Sequence, residues 1–324
     1  MHLSASALQK LDHDGFVVTR NCLSPTTDLQ PVIDEYSEIL DRVAHRLHQQ
    51  GETSSAFAEL PFNKRAIAIT RETGFLDPQP FDISFPANAA LTPNTEFHFG
   101  PAAFNLLRNP DLLDAVESII GSEITSNPVQ HVRIKVPERY IDEERRVGLI
   151  ATTVWHQDNG VVHEEADDTN MLTVWLPLTK ASEEHGCLKV VPGSHREGLQ
   201  VHCPGGVGQG SKLPPPLIPE DRVQPVPMSP GDVLFMHRHC MHASLTNISD
   251  DIRWSFDIRY HPTGSASGRS YLPSFVARSR KTPESELRDP IRWRESWLEA
   301  RDQVLAAVVQ PKAHRWDGTH ELCA

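Results

Sequence analysis

From residue 128 onward the chain breaks into apolar segments of strand length: 129–136, 152–155, 171–176, 186–191, 232–236 and 253–260. Short runs rich in Val, Ile, Leu, Phe and Trp and bounded by turn residues read as β-strands. Pro192-Gly193 and Pro230-Gly231 are strong punctuation between them. Many short strands with no helix between them exclude a βαβ sheet and point to a sandwich or jelly-roll barrel. The expectation is a mainly β fold with flanking helices.

The helices lie at the ends. A short helix capped by Ser6 or a neighbour ends before Gly15, and Phe16-Val17-Val18 follows as a strand. From about 26 to 50, Leu29, Val32, Ile33, Tyr36, Ile39, Leu40, Val43 and Leu47 recur at helical spacing. A second helix runs from about Asp111 to Gly121, and a last one spans about 283–308 with Trp293, Trp297, Leu298 and Val304 as its inner face. Segments 72–100 and 204–230, rich in Pro, Asn or Gly, read as long loops, and loops of that length are commonly functional. The organisation expected is one domain over 1–324: a helical part over 1–125, a β core over 126–262 and a helical tail over 263–324.

A hydrophobic content of 39% and a formal charge of −12 fit a globular protein and argue against a nucleic-acid backbone as partner. No apolar stretch approaches the roughly 20 residues that span a bilayer, and the N-terminus lacks the pattern of a signal peptide. Cys22, Cys187, Cys203, Cys240 and Cys323 are scattered and odd in number, which predicts reduced thiols and a cytoplasmic location.

Chemistry enters at Trp155-His156-Gln157-Asp158. A His and an Asp at i and i+2 of an extended segment share a face, where they can hold one metal ion. With 17 histidines in the chain, such a pair alone is weak; Asp12-His13-Asp14 is a helix end and solvated surface. A third ligand is available in Phe235-Met236-His237-Arg238-His239-Cys240-Met241-His242, where alternation sets His237 and His239 on one face and His242 on the other unless a turn intervenes. Two histidines and one carboxylate leave coordination positions open on non-haem iron(II). Downstream, Arg253, Ser255, Asp257 and Arg259 share one strand face. If that face lines an interior, its charges need partners, and ligand carboxylates would serve. Arg133 and Lys135 pose the same question. Gly205-Gly206-Val207-Gly208-Gln209-Gly210 lacks a strand–turn–helix frame and reads as loop, and the acidic run 163–168 as a solvated one.

These residues together resemble the phytanoyl-CoA dioxygenase family. The resemblance runs over roughly 8–262, through Trp155-His156-Gln157-Asp158, Thr173-Val174-Trp175-Leu176-Pro177-Leu178, Gly186-Cys187-Leu188, Pro192-Gly193-Ser194-His195, Gly231-Asp232-Val233-Leu234-Phe235, His242-Ala243-Ser244 and Arg253. It implies a double-stranded β-helix, a jelly-roll or cupin-like core, that binds iron(II) and 2-oxoglutarate and uses O2. It implies His156, Asp158 and His242 as metal ligands, with His242 preferred over its neighbours by its distance to Arg253. Arg253 matches the residue that grips the distal carboxylate of 2-oxoglutarate, with Ser244 a helper, Trp175 an aromatic neighbour and Lys135 a further contact. His185 departs from the pattern, standing where many relatives have Asn. The activity implied is a dioxygenase, by default a hydroxylase of a small-molecule substrate; the presence of Asp158 argues against halogenation. The alternatives are a cupin-like metal enzyme that does not use 2-oxoglutarate, and a jelly-roll binding protein without turnover.

Overall fold

The computed structural model describes residues 2–86, 90–205, 210–308, 311–312 and 315–323. Residues 206–209, and with them most of the Gly-rich run, lie outside the described residues, as do 87–89 of the long loop.

Among the described residues six α-helices form: α1 (Ala5–Asp14), α2 (Gln30–Gln49), α3 (Phe62–Thr73), α4 (Pro101–Leu107), α5 (Pro110–Ile120) and α6 (Pro290–Ala306). Local chemistry sets most of their ends. The Ser4 hydroxyl caps α1 by accepting from the Ala7 N–H, and Gly15 ends it in the left-handed region at φ 80. Asn109 caps α5 in the same way. The α3 and α4 helices were not legible from the sequence. The α4 helix is seven residues long, and its N-terminal donors at Ala102 and Ala103 are satisfied by the Glu35 carboxylate of α2 at 2.7 and 3.1 Å, a long-range contact.

The described residues also form strands β1 (Phe16–Thr19), β2 (Glu123–Lys135), β3 (Leu172–Pro177), β4 (Leu188–Val190), β5 (Cys203–Pro204), β6 (Ser211–Lys212), β7 (Gln224–Val226), β8 (Val233–His237), β9 (His242–Ser244), β10 (Arg253–Pro262) and β11 (Phe275–Ser279). They build a six-stranded sheet in the order β1-β8-β3-β10-β2-β11, a three-stranded sheet β7-β4-β9 and a short β5-β6 ribbon. Segment 152–155, expected as a strand, forms no ladder; the Thr153 carbonyl accepts from the Ser244 N–H at 3.1 Å and the next residue, His156, makes an isolated bridge to His242.

The alternation of β10 divides the molecule. Trp254, Phe256, Ile258 and Tyr260 turn outward onto the helices, where the Trp254 ring stacks on Phe62 at 4.5 Å and both Trp254 and Phe256 touch Tyr36. In α6, Trp293 and Trp297 close on Phe99, each at 4.7 Å; Ala300 and Val304 complete the buried face and Leu298 is only half-buried. Pairs of this kind add about 0.5–1.5 kcal/mol beyond their area. The opposite face of β10 is polar yet buried: Arg253 is 0% exposed, Asp257 5% and Arg259 2%. It looks toward the small sheet. Leu188, Val190 and Val226 from that sheet pack on Phe16, Trp175, Leu234 and Met236 from the large one.

The expectation of five free thiols is corrected. Cys203 and Cys323 form a disulfide, with Cα atoms 5.3 Å apart and a sequence separation of 120, whereas Cys22, Cys187 and Cys240 are free and buried. The pairing depends on the end of the chain returning to the β5 ribbon, which no local spacing reveals. Among the described residues no helix is long and apolar enough to cross a membrane.

Candidate metal centre

His156 pairs with His242, the first residue of β9, at an isolated bridge. Each backbone N–H donates to the other residue's carbonyl at 3.0 Å, so the two side chains emerge together and their rings stand 4.1 Å apart. The turn at 238–239 carries the chain out of β8 and into β9 of the small sheet. His237 and His239 stay behind it, packed with each other at 5.2 Å, and His195 lies 5.1 Å from His237. Alternation alone could not choose among these histidines; the turn sets which one joins His156.

His156, Asp158 and His242 are buried, and one potential ligand atom from each lies within 4.8 Å of the others. The imidazoles are already oriented. Nδ1 of His156 is 2.9 Å from the Val154 carbonyl and Nδ1 of His242 is 3.0 Å from that of Cys240. A carbonyl only accepts, so each Nδ1 carries the proton and each Nε2 offers its lone pair. Those Nε2 atoms lie 3.8 and 3.9 Å from the two Asp158 oxygens. Burial, reinforced by His242, lowers the His156 pKa to about 3, which keeps that ring neutral.

Asp158 opens a short 3-10 turn, Asp158–Val161, after the extended Gln157. Both of its oxygens are held from the large sheet: Thr173 of β3 donates to one and Arg259 of β10 to the other. Burial pushes the Asp158 carboxyl up, but Arg259 and then His242 outweigh it and leave it below the usual range. Arg259 also donates to the Val129 carbonyl at 2.8 Å and lies 3.4 Å from Asp257, which in turn accepts from Arg133 at 3.0 Å. A register irregularity between Asp257 and Arg259 in the β10–β2 ladder accompanies this cluster. The Arg259 and Thr173 contacts escaped the sequence reading; the available signal was Arg259 sharing a face with Arg253.

A small cavity between the sheets is lined by His156, His242, Arg253, Trp175, Arg133 and Asp257, among others. Arg253 is fully buried and donates from Nη1 to Ser255 at 2.7 Å, but among the described residues its Nε and Nη2 have no partner, nor does the Trp175 indole N–H, whose ring lies 5.5 Å from the guanidinium. Burial, then the charge of Arg133, brings the Arg253 pKa down to about 9. Lys135 and Ser244 sit together: the Lys135 ammonium donates to Ser244 at 2.9 Å and to Thr153 at 2.7 Å. Burial, with Arg253 and Arg133 beside it, holds the Lys135 pKa well below its ordinary value.

Three arginines against two aspartates leave this interior short of negative charge before any metal enters. Unpartnered guanidinium donors buried in a cavity are costly unless a ligand takes them, and a carboxylate is the natural acceptor. Two imidazoles that each present Nε2, with one carboxylate, suit iron(II) with open coordination positions. The residues therefore fit a metal bound together with a dianionic oxo acid.

Comparison with known proteins agrees. The sequence profile described as phytanoyl-CoA dioxygenase matches residues 11–255. The bovine phytanoyl-CoA dioxygenase domain-containing protein 1 is 25% identical over 272 residues, covering 78% of this chain and 88% of that one. A 1-deoxypentalenic acid 11-beta-hydroxylase of Streptomyces arenae is 32% identical over 131 residues, covering 37% of this chain and 44% of that one. Among solved structures, the apo form of the non-heme monooxygenase ThoJ superposes with a TM-score of 0.59 at 18% identity, over 92% of this chain and 96% of that one. That likeness shows a shared fold.

Proposed function

The chain belongs to the phytanoyl-CoA dioxygenase family, and on that premise we propose that it hydroxylates an unactivated C–H bond of a small organic substrate. Its general class is the non-heme iron, 2-oxoglutarate-dependent oxygenases, and its site fits iron(II), 2-oxoglutarate and O2. The observation that carries the proposal is the coincidence, in one cavity, of a buried His156–Asp158–His242 set with the unpartnered donors of Arg253.

When bound, iron(II) with 2-oxoglutarate and O2 supplies the oxidation, and succinate and CO2 are the coproducts. The protein supplies the rest. His156, Asp158 and His242 hold the metal. Arg253 pairs through Nε and Nη2 with the distal carboxylate of 2-oxoglutarate, with Ser244 and Lys135 supporting that end of the pocket and Trp175 forming a wall. Arg133 and Asp257 neutralise each other at the cavity edge, 3.0 Å apart. The two packed sheets keep water out. We read those sheets as a double-stranded β-helix within one domain over 1–324, with helical parts over 1–125 and 263–324 flanking it. The partial likeness to a pentalenic-acid hydroxylase supports hydroxylation as the outcome.

A small-molecule substrate, no nucleic-acid partner and a cytoplasmic location belong to the same proposal. The net charge of −12 supports the second. The Cys203–Cys323 bond weighs against the third. A cupin-like enzyme that ignores 2-oxoglutarate is disfavoured by the unpartnered buried Arg253. The proposal is tested by succinate release from 2-oxoglutarate across a panel of small organic substrates, with iron(II) and O2 supplied. Substrate-stimulated succinate with a product heavier by one oxygen is the expected result; substrate turnover without 2-oxoglutarate would overturn it.

A further inference from the structure

The end of the chain lies beyond the span matched by the family profile, residues 11–255, yet it returns to the metal-ligand segment. Contacts from Arg315, Trp316 and Cys323 bring it there. The Arg315 guanidinium grips both oxygens of Asp167, at 2.6 and 2.9 Å, and the Asn159 side chain donates to the same carboxylate at 2.9 Å. The Trp316 indole N–H donates to the Gly160 carbonyl at 2.6 Å. The Trp316 ring stacks on His202, with centroids 5.4 Å apart and 24° between planes. Cys323 is bonded to Cys203, next to His202.

His202 completes the connection. Its Nδ1 faces the Gln200 carbonyl at 2.9 Å, so Nε2 is the acceptor, and it takes the Gln157 backbone N–H at 2.9 Å. A side chain on Gly160 would stand within 2.2–2.6 Å of the same imidazole, so only glycine lets the ring lie there. Gln157, Asn159 and Gly160 flank Asp158. Arg315 and Trp316 therefore hold the residues on either side of a metal-ligand carboxylate, and the disulfide keeps them in reach by closing a large loop.

We propose that residues 315–323 are a clamp that positions the 157–167 segment, with Trp316 and Arg315 as positioning residues and Cys203–Cys323 as its lock. The role assigned to Asp158 rests on the iron reading above; the clamp itself does not. A carboxylate that is free to swing binds metal more weakly, and outer partners of metal ligands are typically worth about 10–100-fold in affinity. Opening the lock needs two electrons and two protons: a dithiol reductant becomes a disulfide and leaves Cys203 and Cys323 as thiols.

The test uses the full chain and two measurements. Hydrogen exchange of the metal-free protein is compared between wild type, Trp316→Ala, Trp316→Phe and Cys323→Ser, and between oxidised and dithiol-reduced wild type. Exchange over 157–167 speeds at least about tenfold in Trp316→Ala and Cys323→Ser, with β3 and β8 unchanged. Trp316→Phe, which keeps the stack and loses the N–H, falls between. Reduction of wild type reproduces Cys323→Ser and adds nothing to that variant. Anaerobic titration with iron(II) alone then gives an apparent Kd raised about tenfold in the same two variants. Unchanged exchange over 157–167, or acceleration spread equally over β3 and β8, overturns the clamp. Faster exchange with an unaltered iron(II) Kd overturns the positioning role. Faster exchange in variants of a wild type that takes up no iron(II) upholds the clamp and overturns the metal reading instead.

Discussion

Thr173 and Arg259 stand directly opposite each other across the β3–β10 ladder, and each donates to a different oxygen of Asp158. One strand pairing thus fixes the carboxylate proposed as a metal ligand, whose backbone opens the short turn Asp158–Val161. Register is what makes this possible: residues opposed across antiparallel strands share a face.

Replacing Arg259 removes that hold together with a buried positive charge. Arg259→Met weakens iron(II) binding by about 10–100-fold in anaerobic titration. Arg259→Lys retains the charge without the planar fork and recovers only part of the loss. Because the change strands Asp257 and Asp158 with fewer cations, the Met variant also unfolds at a lower temperature.

In the proposed site Arg253 grips the oxo acid and makes no contact with the metal. Arg253→Lys raises the 2-oxoglutarate concentration needed for half-saturation by about 10–100-fold, since a charge-assisted hydrogen bond is worth about 1.5–3 kcal/mol. Iron(II) affinity in the absence of 2-oxoglutarate stays within about twofold of wild type, by the same scale. Equal loss of both affinities would place Arg253 in the wrong role.

Acid lowers the stability of the metal-free protein. Burial pulls His261 and His202 down to about 4, below the 6.5 of a free imidazole. Between those values the unfolded chain carries the extra protons, so unfolding is favoured as pH falls. Each such ring adds a slope of up to about 1.4 kcal/mol per pH unit. The denaturation midpoint falls steadily from about pH 6.5 toward pH 4, with Asp158, whose pKa is also depressed, adding its loss only at the acid end. A midpoint that rises on acidification contradicts this.

The α6 helix is held by two indoles. Trp297→Ala empties a fully buried site against Phe99 and Phe85 and costs about 3–5 kcal/mol in denaturant titration. Iron(II) affinity of the folded fraction is unchanged, because α6 contributes nothing to the metal cavity.

What was legible in the sequence was the part written in local pattern. The periodicity of Val32, Tyr36, Ile39, Leu40 and Val43 marks α2, and the alternation of β10 separates Trp254, Phe256, Ile258 and Tyr260 from the charged face. His156 and Asp158 could be paired because they are neighbours in sequence. Choosing His242 over His237 and His239 needed a turn that alternation does not encode, and the resemblance to a family supplied it. The burial of Arg253 and Arg259, the Glu35 cap on α4 and the Cys203–Cys323 bond were out of reach: each joins residues distant in sequence, and each depends on how two layers close.

The central claim is that His156, Asp158 and His242 form one iron site and that His237 and His239 do not. Anaerobic iron(II) titration of five single alanine variants tests it most directly. The account predicts one iron per chain in wild type, His237→Ala and His239→Ala, and loss of that site in His156→Ala, Asp158→Ala and His242→Ala. Undiminished binding in His242→Ala, or loss of the site in His239→Ala, would contradict it.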